Sequence, residues 1–311
     1  MEPTAGSPAA AGSSGGGGVE NVGAAGAGGQ PPSGAGSGGV ANGGSAAQGE
    51  GGGGAGQSAA GAGGLSGAAG SGGSTGTGTG GSNGGAGSYN PCPTDGSVCK
   101  ILPFGDSITR GAKSSDDGGY RKPLYALILA AKQNATFTGS QAHGPAEVSG
   151  QPFPRKHEGH AGWTIDPGYN MISSSYSGIS TLVPSPALKD SPHIILLMIG
   201  TNDLFARDTA NMAARLDVLL DKVAENAPKA LVVLAQLTPL GHDDPNLTAY
   251  NAKLPALVQS HAAKGQHIIG VDMSKLPTRD LADGTHPNDR GYAYMANVWY
   301  AAIKDSLPVA P

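Results

Sequence analysis

A serine, a histidine and an aspartate suffice for acyl transfer when the imidazole takes the serine proton and the carboxylate holds the other ring nitrogen. This sequence offers Ser107 in Gly105-Asp106-Ser107-Ile108-Thr109, and Asp283 with His286 in Asp283-Gly284-Thr285-His286-Pro287. An Asp three residues before a His can accept its Nδ1–H and leave Nε2 facing a nucleophile. The same chemistry needs donors for a developing oxyanion. Asn202, in Gly200-Thr201-Asn202-Asp203, supplies a side-chain amide, and Gly139, before Ser140, can present an unobstructed backbone N–H. Taken singly, each fragment has a plainer reading. Asp106 and Ser107 can cap a helix, Asp283 to His286 can be a turn, Asn202 or Asp203 can start a helix, and Gly139 can be a turn glycine.

The elements that would carry these residues give them a common setting. Lys100 to Phe104 is a short apolar run ending in Gly-Asp-Ser, a strand followed by a turn. Leu124, Leu127, Ile128 and Ala131 recur at helical spacing, and Ala135 to Gly139 (ATFTG) has strand character. His193 to Ile199 (HIILLMI) and Ala230 to Ala235 (ALVVLA) are continuous apolar runs, as in strands buried on both faces. Met212, Leu216, Leu219, Leu220 and Val223 form a helical stripe between them. A further helix is expected over Leu247 to Lys264, disturbed at Pro255, then a strand over Gln266 to Val271 and a helix with Tyr292, Met295, Trp299, Ala302 and Ile303 on one face. Alternating strands and helices predict an α/β fold with a parallel sheet, whose chemistry gathers at the carboxyl ends of the strands. Ser107, Gly139 and Asn202 all fall just after predicted strands, and Asp283 and His286 lie on the loop before the last helix.

In combination, these four blocks resemble those of the SGNH (GDSL) hydrolases, over about Ile101 to Ile303. GGYR (118–121), FTGS (137–140), HEGHAGWTI (157–165), IGTNDL and DGTHPNDRGY further resemble carbohydrate esterase family 3, typified by acetylxylan esterases. The resemblance implies a three-layer α/β/α, flavodoxin-like fold with a five-stranded parallel sheet, and a catalytic triad of Ser107, His286 and Asp283. It also implies an oxyanion hole made by the N–H groups of Ser107 and Gly139 and the side chain of Asn202, with no metal and no organic cofactor. The implied reaction is hydrolysis of carboxylic, chiefly acetyl, esters on a carbohydrate such as xylan. Other esters (aryl, lysophospholipid, thioester) are the alternatives within the class, and a non-catalytic carbohydrate-binding module is the alternative outside it. His157-Glu158-Gly159-His160 lacks the spacing of a zinc-protease motif and is expected as a polar, hydrogen-bonded loop shaping the site. Trp163 would pack there or face a sugar. His193 would open a strand, and His143, His242, His261 and His267 read as ordinary loop or helix residues. G-x-S-x-G occurs at 12–16, 72–76 and 80–84 with no strand before it and no helix after, so it carries nothing.

Composition bounds the partners. Residues 1–88 hold 36 of the 54 glycines, no aromatic, no Lys or Arg, and only Glu2, Glu20 and Glu50 as charges. Such a tract cannot bury enough surface to offset chain entropy, and is expected to be a disordered Gly/Ser/Ala-rich linker with an r.m.s. reach of roughly 50–55 Å. Residues 89–311 carry all 19 basic and 20 of the 23 acidic residues, so 19 minus 20 leaves −1. This length suits one domain, and near-neutrality argues against nucleic acid or an anionic membrane as partner. No run approaches 18 apolar residues, so no membrane insertion by the domain itself is expected; the domain is expected to be a monomer. Cys92 and Cys99, flanking a Pro/Asp/Gly turn, read as a disulfide worth ~2.5 kcal/mol in the chain-entropy model. Two thiols in a reduced cytosol, or half a metal site, are the alternatives. A secreted or cell-surface location follows from the linker and the cysteines, since Met1-Glu2 opens no basic or apolar leader. Deleting residues 1–88 is therefore expected to leave esterase kcat and melting temperature nearly unchanged. Enzyme assay and calorimetry of the truncated and full chains check this, and a large loss of either refutes the linker reading.

Overall fold

The structure, a computed structural model of the chain, describes residues 89–206 and 208–311. The tract at 1–88 read as a linker lies outside the described residues. Among the described residues, nine strands are β1 Cys99–Gly105, β2 Ala135–Phe137, β3 Gln141–Ala142, β4 Glu147–Val148, β5 Gln151–Pro152, β6 Lys156–Gly159, β7 Ile194–Met198, β8 Leu231–Ala235 and β9 Ile268–Val271. The α-helices are α1 Ser107–Arg110, α2 Arg121–Ala130, α3 Met212–Asn226, α4 Pro245–Ala263 and α5 Asp289–Ile303.

The apolar runs explain the sheet. β7 and β8 are buried at every residue and lie parallel in the middle, as strands covered on both faces must. β1 pairs with β7 and β9 with β8, both parallel, and β2 pairs parallel with the first half of β1. The order β2-β1-β7-β8-β9 is the expected five-stranded parallel ladder. Helices α2 and α5 pack together, as do α3 and α4, giving the helical layers of an α/β/α fold. On α5, Tyr292, Met295, Ala296, Trp299 and Ile303 are buried, each large side chain contributing ~1.5–3 kcal/mol.

Two expectations need correction. The sheet has seven strands, because β6 pairs parallel with the end of β1 at Phe104 and Gly105, and β3 pairs antiparallel with β6. His157 to Gly159 is thus strand, not loop. Its sequence, Lys-His-Glu-Gly, has no apolar alternation to signal this, since its buried side chains are polar. Helix α4 is continuous through Pro255, and the expected disturbance is the loss of one ladder bond. Proline leaves the carbonyl of Asn251 without its helical donor, and Gln236 Nε2 donates to that oxygen at 2.9 Å instead. His261 and His143, read as helix and loop residues, lie in a helix and a loop and have specific partners. His261 is fully buried, 2.7 Å from Asp217 Oδ1 of α3, and His143 Nδ1 lies 3.0 Å from His157 Nε2.

Residues that flank the strand ends are tied together by Arg121, which is wholly buried at the start of α2. All five of its N–H donors go to backbone carbonyls, those of Thr109 (3.2 Å), Arg110 (2.7 Å), Asp117 (2.8 Å), His143 (2.9 Å) and Arg155 (3.0 Å). Burial pulls its pKa down to about 10. Such a cation is tolerable only because every donor is satisfied. Replacing it with apolar Met would leave carbonyls unpaired at ~1–3 kcal/mol each. Arg121→Met is therefore expected to lower unfolding free energy by at least ~3 kcal/mol. Urea titration measures it, and a change below ~1 kcal/mol would contradict this role.

Candidate active site

Strand β1 ends at Gly105, and the chain turns at once into α1. Asp106 is the N-cap, its Oδ1 accepting from Ile108 N–H at 3.0 Å, so Ser107 is the first residue of the turn. Gly105 is required here: a Cβ would lie 2.1 Å from the carbonyl oxygen of Met198 on β7. At the other end of the chain, residues 281–287 form a tight loop closed by Ala282 N–H donating to His286 O at 2.8 Å. Asn288 then caps α5, its Oδ1 accepting from Arg290 and Gly291 N–H. A second tie, Gly241 N–H to Gly284 O at 2.7 Å, holds this loop to the one after β8.

These two ends meet. His286 Nε2 lies 2.9 Å from Ser107 Oγ, and His286 Nδ1 lies 2.9 Å from Asp283 Oδ2. Since a carboxylate only accepts, Nδ1 carries the proton and Nε2 is the acceptor facing the serine. Burial raises the pKa of Asp283, but hydrogen bonds from the backbone N–H and ring of His286 and from Thr285 N–H outweigh it, and the net shift is downward. The carboxyl therefore stays ionised where the imidazole needs it.

Gly139 follows β2 with φ +134°, a conformation that favours glycine, and a Cβ there would lie 2.3 Å from the carbonyl carbon of His157. Its N–H and that of Ser107 have no hydrogen-bond partner among the described residues. Asn202 follows β7; its Nδ2 donates to the carbonyl of Trp163 at 2.8 Å, which fixes the amide and leaves its second hydrogen uncommitted. Beneath Asn202, Asp203 is buried against Arg215 Nη2 (3.1 Å) and accepts from Ile165 N–H (3.0 Å). Tyr169 covers that guanidinium, its ring centroid 3.8 Å away. An activated hydroxyl beside unpaired N–H donors can attack an acyl carbon and hold the resulting oxyanion. Among the described residues, no group of three or more His, Cys, Asp or Glu is placed to hold a metal ion.

The structure thus brings together Ser107, His286 and Asp283. Sequence reasoning missed several of their neighbours. Asp106 was read only as a possible cap, yet it is fully buried, and its Oδ2 and the hydroxyl of Thr201 have no hydrogen-bond partner among the described residues. Glu158 is also fully buried, accepting from the backbone N–H of Ser140 and from its hydroxyl. The HEGH motif flagged Glu158 by type, but its partner stands 18 positions away with no signal in the sequence.

Fold and site together define an α/β domain with a hydrogen-bonded Ser–His–Asp line at the carboxyl ends of a parallel sheet. Residues 101–299 match the GDSL-like Lipase/Acylhydrolase family, and the chain belongs to it. A family 3 carbohydrate esterase of Clostridium thermocellum superposes with a TM-score of 0.56 at 30% identity, over 67% of this chain and 96% of that one. A family 3 carbohydrate esterase of Talaromyces cellulolyticus superposes at 0.54 and 21% identity, over 67% and 97%, a likeness of fold. A multidomain esterase of Ruminococcus flavefaciens is 33% identical over 224 residues, which are 67% of this chain and 29% of that protein. The chain therefore spans under a third of that relative. The resemblance to family 3 read from the motifs is borne out.

Burial pushes the carboxyls of Asp106 and Asp203 up to about 6, against the hydrogen bonds each accepts. An acid whose folded pKa exceeds its unfolded ~3.9 keeps a proton that the unfolded chain has released, so stability falls as pH rises from about 4 to 6. Asp106→Asn keeps the acceptor for Ile108 N–H and removes that site's share of the slope. Between pH 4 and pH 6 the urea midpoint of the wild type is expected to fall relative to that of this variant, and an unchanged gap between the two would refute the assignment.

Proposed function

We propose that the protein is a serine esterase that removes acyl groups, chiefly acetyl, from carbohydrate, with acetylated xylan as the leading substrate. The observation that carries this reading is the hydrogen-bonded line Asp283–His286–Ser107, with 2.9 Å on each side of the imidazole. Ser107 Oγ attacks the ester carbonyl as its proton passes to His286 Nε2, and Asp283 stabilises the imidazolium. The N–H groups of Ser107 and Gly139 and the amide of Asn202 receive the oxyanion, each donor worth ~3–4 kcal/mol of barrier. The sugar hydroxyl departs with the proton from His286. Water, deprotonated in turn by His286, then hydrolyses the acyl-enzyme.

The carbohydrate part of the reading is supported by similarity to family 3 carbohydrate esterases and to a multidomain esterase. An extracellular setting is supported by the Cys92–Cys99 disulfide, a bond that persists in oxidising compartments. No helix among the described residues is long and apolar enough to cross a membrane.

Ser107→Ala is expected to abolish hydrolysis of p-nitrophenyl acetate while the circular dichroism spectrum is kept; residual turnover in a clean preparation would remove Ser107 as nucleophile. Asn202→Ala is expected to lower kcat by roughly 10²–10³. Acetate release from acetylated xylan, set against other acetylated glycans and long-chain esters, tests the substrate. Faster turnover of the long-chain esters would overturn the carbohydrate assignment.

A further inference from the structure

Glu158 poses a physical problem that its place in β6 does not explain. A carboxylate taken wholly out of water costs several kcal/mol unless it is fully bonded. Among the described residues, its one side-chain partner besides Ser140 is His160, whose Nε2 lies 2.8 Å from Oε2. The rest of its bonding capacity goes to a single residue, Ser140, through the backbone N–H to Oε1 and the hydroxyl to Oε2 at 3.1 Å. Ser140 is the neighbour of Gly139, the residue whose N–H is unpaired at the site. Glycine has the freest backbone of any residue. To keep that N–H aimed, the chain on its far side must be pinned, and Glu158 pins it.

The linkage continues on the other side. The ring of His160 lies against that of Trp163, centroids 4.5 Å apart and planes at 32°. Trp163 N–H donates to the carbonyl of His160 at 3.2 Å, and the carbonyl of Trp163 accepts from Asn202 Nδ2. His160 N–H itself donates to Gly105 O at 3.0 Å, two residues before Ser107. One short segment therefore touches the neighbours of all three oxyanion donors.

We infer that Glu158 and His160 are positioning residues of the esterase: the chain Ser140–Glu158–His160–Trp163 fixes the Gly139 N–H and the Asn202 amide relative to each other. This rests on the oxyanion-hole reading above. It assigns the HEGHAGW segment a catalytic consequence through geometry, with no contact to substrate. Misplacement of a reacting group by about 1 Å can cost on the order of 10²-fold in rate.

The test uses the full chain, with p-nitrophenyl acetate as substrate and circular dichroism and urea midpoints alongside. Glu158→Gln keeps shape but cannot accept from both Ser140 groups and His160 at once. It is expected to lower kcat roughly 10- to 100-fold with KM within about twofold. His160→Ala is expected to lower kcat about tenfold in the wild-type background and less than twofold in the Asn202→Ala background, because its effect runs through that amide. An unchanged kcat in both single variants, or an equal loss from His160→Ala in both backgrounds, would overturn the proposal. Should Glu158→Gln fail to fold, the His160 cycle decides by itself. Failure of the esterase reading is seen separately, as turnover that survives Ser107→Ala.

Discussion

The buried guanidinium of Arg121 sets the frame within which the site can exist. Its five donors are directional and coplanar, and they end on carbonyls from four stretches of chain: the turn after Ser107, Asp117, His143 and Arg155. Two of those stretches flank β3 and β6, the strands that bring Glu158 and His160 beside β1. A salt bridge could not do the same, because a carboxylate partner would satisfy the cation without joining loops. No carboxylate is hydrogen-bonded to this cation among the described residues; its demands match the carbonyls available, and that match locks the turns at fixed spacing.

Upon this frame, the parallel sheet does the coarse positioning. Ser107, Gly139 and Asn202 leave the carboxyl ends of β1, β2 and β7, which are neighbours in the order β2-β1-β7. Three side-by-side strands thus deliver the proposed nucleophile and oxyanion donors with no long-range search beyond the sheet. The histidine arrives by another route, on a loop closed by its own backbone bonds and leading into a capped helix. Close backbone approach supplies the fine positioning. At Gly105 and Gly139 there is no room for a Cβ, so glycine is a steric demand at both places.

The site is electrostatically uneven in a way that suits acyl transfer. Asp283, near solvent, is held ionised by the groups that donate to it, while Asp106 and Asp203, buried under the same strand ends, are pushed up to about 6. Environment alone separates the carboxyls: one orients the imidazole, and the others brace the turns carrying Ser107 and Asn202. Asp203 does so through Arg215 and Ile165, which explains why the Gly-Thr-Asn-Asp block extends one residue past the donor.

The sequence by itself determined whatever depends on local pattern. Apolar runs made β7 and β8, helical stripes made α2, α3 and α5, and motif order placed Ser107, Gly139 and Asn202 after strands, because burial period and turn chemistry are written in neighbouring residues. Tertiary structure decided what depends on distant partners. That His157 to Gly159 is a strand, that Pro255 leaves α4 intact, that Arg121 spends itself on carbonyls, and that Glu158 holds Ser140 are matters of which groups meet across the fold. A buried polar group has no periodic signature. Its cost is offset only by specific partners, and those partners exist as neighbours only once the chain has folded.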